Sequence, residues 1–152
     1  MQFGLPAADV MIDATRAGPE LTAMKALVVD DSRAMRLMLS RMLQDLGFEV
    51  AQDGHGREAL THLQSHEDVD LALVDWNMPE MNGLELVEAV RQDTRFTNLR
   101  MMMVTTETEM TQMARALGAG ANEYVMKLFC SSELTGRLGR LRGPLHTKVV
   151  EA

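Results

Sequence analysis

A doubly wound α/β domain, a five-stranded parallel sheet with five helices, is the fold this chain predicts. Two observations carry that expectation. Short apolar runs of the kind that form buried parallel strands alternate five times with stretches of helical periodicity. Two of those runs end directly in acid: Leu27-Val28-Val29 in Asp30-Asp31, and Leu71-Ala72-Leu73-Val74 in Asp75. Open α/β sheets collect ligands outside the carboxyl ends of their strands, so acids at two such ends belong to one edge.

The first strand is expected over residues 26–29. The first helix follows over 33–46, where Met35, Leu39, Met42, Leu43 and Leu46 recur at helical spacings and Gly47 stands as a natural C′ residue. A second strand over 48–51 leads through Gly54 to a helix over 55–64. The third strand, 69–74, is followed after Gly83 by a helix over 84–91. Strands over 101–104 and 123–126 complete the sheet, and the helix between them, 108–117, is expected to stop before Gly118. A last helix over 132–141 has Leu134, Leu138 and Leu141 on one face. Its Gly136 and Gly139 each cost about 0.5–1 kcal/mol relative to Ala, so it is expected to be short, frayed or held by a partner.

A chain of 152 residues is about one domain, and 46% hydrophobic residues suffice for an ordinary core. Aromatics are only 4%, which leaves much of the filling to 14 methionines. The net charge of −7 argues against a nucleic-acid surface. One cysteine, Cys130, leaves no internal disulfide and fits a reducing compartment. No apolar stretch reaches the ~18 residues needed to cross a membrane. The N-terminus carries Asp9, Asp13 and Glu20 and lacks the basic start of a secretory signal, so a cytoplasmic location is expected. Residues 1–23 read as an extension, 24–142 as the domain and 143–152 as a tail.

If the two acid-tipped strands are neighbours, three carboxylates meet in one pocket. That charge is unfavourable without a cation, and hard oxygen donors suit Mg2+. One carboxylate could also attack phosphorus, since aspartyl phosphates are an established covalent form. The bland alternative is that Asp30 or Asp31 caps the following helix. Elsewhere, His62 and His66 stand four apart on a helix with Glu58 on the same side. Without a third strong ligand or a sign of convergence, they are expected to form a solvated face. Gly54 and Gly56 form a loop and lack the fingerprint of a phosphate cradle. Arg137, Arg140, Arg142 and Lys148 make the C-terminal segment locally basic, either as a solvated face or where a partner docks.

Four motifs in order carry a resemblance: Val28-Val29-Asp30-Asp31-Ser32, the run from Asp75-Trp76-Asn77 to Asn82-Gly83, Met103-Val104-Thr105, and Tyr124-Val125-Met126-Lys127. Together they resemble the receiver domain of bacterial two-component response regulators, most nearly its single-domain CheY-type chemotaxis members. The intervals agree, with 44 residues from Asp31 to Asp75, 30 from Asp75 to Thr105 and 19 from Thr105 to Tyr124. The likeness covers roughly residues 24–141.

The resemblance implies that Asp75 is a phosphoacceptor, charged from the phosphohistidine of a sensor histidine kinase or phosphotransfer protein. It implies Mg2+ held by Asp31, the Asp75 carboxylate and the main-chain carbonyl of Asn77, with Asp30 holding a metal-bound water. Lys127 matches the lysine that pairs with the phosphoryl group, a use that suits a compact ammonium on a flexible stem. Thr105 matches the switch hydroxyl, able to donate one hydrogen bond to a phosphoryl oxygen, and Tyr124 its aromatic partner. Asn77 and Glu107 flank the line of attack on the aspartyl phosphate, and this pair implies comparatively rapid self-dephosphorylation. Output is expected through a protein bound on the surface of residues 108–141. The activity implied is that of a stand-alone switch with self-catalysed phosphotransfer, not an enzyme, with no direct nucleic-acid contact and no membrane insertion.

Two other classes stay open. An aspartyl-phosphate phosphatase also uses a strand-end aspartate and magnesium, but typically shows Asp-x-Asp after the first strand, where this chain has adjacent Asp30-Asp31. A phosphorylation-independent adaptor on the same scaffold is suggested by a departure. Receivers usually carry proline directly after the active-site lysine, commonly with a cis bond, whereas Leu128 follows Lys127 here. A cis bond before a non-proline residue costs roughly 2.5–4 kcal/mol. A trans peptide and a different loop path are therefore expected, which could displace Lys127, with slower phosphorylation, weaker switching, or both, compared with a Leu128→Pro variant.

Overall fold

Strands that are apolar on both sides must be covered on both sides. In the computed structural model, which describes residues 24–106, 110–127 and 136–138, they are. β1 (Lys25–Val29), β2 (Glu49–Asp53), β3 (Leu71–Val74), β4 (Arg100–Thr105) and β5 (Glu123–Met126) make one sheet in the order β2-β1-β3-β4-β5. Every pairing is parallel. Between them lie α1 (Arg33–Asp45), α2 (Gly56–Ser65), α3 (Gly83–Arg91) and α4 (Met110–Ala119), and residues 136–138 are helical.

The side-chain alternation of β1 divides the core. Leu27 and Val29 point into a cluster with Ala59 and Leu63 of α2, Leu86 and Val87 of α3, and Ala116 of α4. Ala26 and Val28 point the other way, onto Leu39 and Leu43 of α1 and onto Leu138. The helices therefore cover both faces, as a doubly wound fold requires. Met101, Met102 and Met103 of β4 are fully buried, alternating between the two clusters.

Local chemistry explains the element ends. Ser32 caps α1, its Oγ accepting from the Met35 N–H at 3.2 Å. That frees Asp30 and Asp31 from capping duty. Gly47, at φ 97°, takes the left-handed turn after α1. α2 starts at Gly56, one residue later than expected, with His55 as its cap. A Cβ on Gly56 would lie 2.5 Å from the Met81 carbonyl, so α2 approaches the β3–α3 loop as closely as glycine permits. The expected stop before Gly118 is corrected. α4 continues to Ala119, and Gly120, at φ 120°, makes the turn instead.

β2 runs two residues past its expected end, to Asp53, and β3 begins two residues late, at Leu71. The N-terminal extension, Glu107, the Lys127–Leu128 peptide, Cys130, most of the last helix and the tail lie outside the described residues. Among the described residues no helix is long and apolar enough to cross a membrane.

Candidate functional site

Register brings the acids together. Val29 of β1 pairs with Val74 of β3, and the Asp75 N–H donates to the Val29 carbonyl at 2.9 Å. The next residue of each strand, Asp30 and Asp75, therefore lies side by side at the carboxyl edge, where the strand order reverses. One carboxylate oxygen from each of Asp30, Asp31 and Asp75 falls within 4.8 Å of the other two. Asp30 and Asp75 are 1% and 3% exposed, while Asp31 faces solvent.

Asp30 is held on all sides. Its N–H donates to the Asp53 carbonyl at 3.2 Å. Its Oδ1 accepts from the Ser32 N–H at 2.8 Å, and its carbonyl accepts from Arg36 at 2.6 Å. Arg36 also reaches Gln52 at 3.3 Å, so α1 and β2 fix the same peptide. Beyond Asp75, the Gly83 N–H closes the β3–α3 loop on the Trp76 carbonyl at 2.9 Å. Within that loop Glu80 takes a left-handed conformation, φ 67°.

Lys127 follows β5 directly. Its Nζ lies 3.0 Å from Asp30 Oδ2 and 3.4 Å from Asp75 Oδ2. The displacement of Lys127 that such a path could bring is thus not seen. Its long stem starts from a strand already registered on β4, through Val104 with Val125 and Thr105 with Met126. The Lys127 position is thereby set before the chain reaches Leu128.

Electrostatics follows from this crowding. Burial pushes the Asp75 carboxyl up to about 6, and Asp30 adds to the shift, while Lys127 and the Asn77 main-chain N–H oppose it. Burial works against the Lys127 ammonium, but Asp30 and Asp75 together outweigh it and raise its pKa. One lysine thus pairs with two carboxylates, and a third, Asp31, lies within the same cluster. Asp30 Oδ2 is buried without a well-aligned hydrogen bond, even with Lys127 at 3.0 Å. Hard oxygen donors, surplus negative charge and an under-satisfied buried oxygen fit a hard divalent cation.

Tyr124 is buried, paired in register with Met103 and sharing a cluster with Trp76. Thr105 ends β4 two residues beyond Met103, the partner of Val74, at the same edge as Asp75. Asn77 is exposed in the loop after Asp75. Glu107 lies outside the described residues. Sequence reasoning missed Arg36, the purpose of Ser32 and Gly83. A serine directly after two acids and a glycine ahead of a helix are visible signals, but Arg36 carries none. His62 also departs from expectation. It is half-buried, its Nδ1 3.0 Å from Asp53 Oδ2.

The model of the response regulator receiver domain matches residues 26–139. The chain belongs to that family. It is 45% identical over 116 residues to the chemotaxis protein CheY1 of Helicobacter pylori, covering 76% of this chain and 94% of that one. It is 40% identical over 119 residues to chemotaxis protein CheY of Pseudomonas aeruginosa, covering 78% and 95%. Among solved structures, the chemotaxis response regulator CheY4 of Vibrio cholerae superposes with a TM-score of 0.74 at 38% identity, covering 79% of this receiver and 99% of CheY4. Membership in this family implies phosphoacceptor signalling.

Proposed function

We propose that this receiver accepts a phosphoryl group on Asp75 from a phosphohistidine, with Mg2+, and thereby switches a protein-binding surface, in chemotaxis or a related phosphorelay. The observation that supports this most directly is the arrangement at the carboxyl edge. Asp75 is recessed beside Asp30 and Asp31, with Lys127 Nζ within 3.4 Å.

In the transfer, a carboxylate oxygen of Asp75 attacks phosphorus as the phosphorus–nitrogen bond of the donor breaks and its electron pair leaves with the imidazole. With a pKa of about 6, Asp75 is mostly ionised at neutral pH and able to attack. Positioning and charge stabilisation supply most of the catalysis in such transfers. Lys127, already between Asp30 and Asp75, pairs with the phosphoryl oxygens. Asp31, Asp75 and the Asn77 carbonyl would hold Mg2+, with Asp30 acting through water. The ion supplies neutralising charge at the phosphoryl oxygens. Thr105 donates a hydrogen bond to the new group, and Tyr124, in register with Met103 on the neighbouring strand, passes the change to α4 and β5. Asn77 and Glu107 set how long the acyl phosphate lasts.

Incubation with Mg2+ and a small phosphodonor, followed by intact-mass measurement, tests this. One base-labile phosphoryl group is expected on the receiver and none on Asp75→Asn. Equal labelling of both would sink the assignment, and steady turnover of a phosphate ester without a stable label would favour a phosphatase.

A further inference from the structure

Two imidazoles, His62 of α2 and His66 at its C-terminal cap, each hold Nδ1 against an acceptor. His62 Nδ1 lies 3.0 Å from Asp53 Oδ2, close enough to pair although off the line of a well-formed hydrogen bond. His66 Nδ1 lies 3.0 Å from the main-chain carbonyl of His62. A carbonyl oxygen and an ionised carboxylate can only accept, so in each neutral ring Nδ1 carries the proton and Nε2 the lone pair. Among the described residues neither Nε2 has a polar partner.

The ring centroids are 4.6 Å apart, with planes inclined at 51°. Two imidazoles bound through nitrogen at ~2.0–2.1 Å to one ion would place their centroids roughly 4.5–5.2 Å apart, for ligand angles of about 90–110°. The observed separation falls in that range. Metal-bound histidines characteristically donate their other ring N–H to a carboxylate or a main-chain carbonyl. Asp53 and the His62 carbonyl are one of each.

We propose that His62 and His66 bind one divalent transition-metal ion of the Zn2+ class through Nε2, with water completing the shell. Imidazole ligands suit Zn2+, Cu2+ and Ni2+ and not Mg2+, so this site is chemically distinct from the acidic edge. The grooves flanking the pair are of mixed charge, with Glu58 and Arg57 on one side and Glu49, Asp68 and Lys25 on the other, and Lys25 is paired with Asp68. Asp53 ties the site to the fold, since its carbonyl accepts the Asp30 N–H.

Calorimetric titration of the full chain with Zn2+, in saturating Mg2+ to occupy the acidic edge, tests the proposal. The variants are His62→Gln, His66→Gln, both together, and Asp53→Asn. One ion per chain is expected. Losing either ligand should weaken binding at least as much as losing an outer partner, and Asp53→Asn should weaken it by ~10–100-fold. A double variant that binds Zn2+ within about tenfold of the parent overturns the proposal, whether the ion sits at Cys130, at His146 or elsewhere. Imidazole proton resonances of the unsubstituted chain give a second reading that does not depend on variant folding. Those of His62 and His66 should shift together at one equivalent of Zn2+, and their failure to move overturns the site.

Discussion

Asp75 is held where its ionised form is disfavoured, by burial and by Asp30 beside it. Its carboxyl is pushed up from an ordinary value of 3.8 to about 6 in the fold. Between those values the native state binds more protons, so this group's contribution to stability is greatest below about pH 4 and falls as pH rises through 6. With metal chelated, Asp75→Asn should therefore stabilise the receiver above pH 7, on the order of 1–3 kcal/mol, a shift already net of the attraction to Lys127. The gain should vanish toward pH 4. Urea titrations at both pH values would show this, and a gain independent of pH would contradict it. Gly83 is as constrained as its neighbour. A Cβ there would lie 2.3 Å from the Asp75 carbonyl and 2.9 Å from Met103 Cε. Overpacking of this kind costs about 1–3 kcal/mol. Gly83→Ala should show that loss in thermal unfolding together with slower labelling of Asp75, and an unchanged melting midpoint would refute the close contact.

Arg91 at the end of α3 fastens several elements together. It donates to the carbonyls of Phe96, Leu99 and Gly120 at 2.7, 2.7 and 2.9 Å, and to Asn122 Oδ1 at 3.0 Å. Asn122 Oδ1 in turn accepts the Met101 N–H at 2.8 Å. The end of α3, the start of β4 and the α4–β5 turn are thus fastened at one point. Arg91→Ala would strand partly buried acceptors, each loss worth about 1–3 kcal/mol where water cannot replace the donor. The expected result is a lower urea midpoint with an unchanged slope. A midpoint equal to that of the parent would show that water replaces the guanidinium freely. α3 begins as firmly as it ends, with Asn82 and Glu85 forming a reciprocal cap at 2.8 and 2.9 Å. The loop that carries Asn77 is therefore strung between Asp75 and a fixed helix start.

At the scale of the molecule, the acidic pocket lies at the carboxyl ends of β1 and β3, and the expected output face lies on α4 and β5. β5 is an edge strand next to β4. Leu117 of α4 and Met126 of β5 are large apolar side chains left 44% and 42% exposed. Trp76 packs in the cluster beneath α4, with the Arg115 guanidinium 5.8 Å from its ring centre. A charge change at Asp75 thus has a short packed route to that face. Amide exchange with Mg2+ and beryllofluoride, a phosphoryl mimic, should alter protection across α4 and β5 and leave α2 nearly unchanged. Identical exchange with and without the mimic would rule out a switch on this surface.

Strand and helix types, their order and the acids at two strand ends were legible in the sequence, because each depends on periodicity or on immediate neighbours. Gly47 as a left-handed turn follows from the same local rules, whereas the cap of α1 fell to Ser32 and not to Asp30 or Asp31. The end of α4 escaped those rules, since Ala116 is anchored in the core and the turn waits for Gly120. Only the tertiary structure decided that β1 lies beside β3, which puts Asp30 against Asp75. It also brought Arg36 onto the Asp30 carbonyl and set Asp53 against His62. Lys127 shows why most clearly. The residue that follows it argued for displacement, yet its distance to Asp30 is set by sheet order and by the register of β5 on β4. Those are properties of residues far apart in the chain, and no local pattern encodes them.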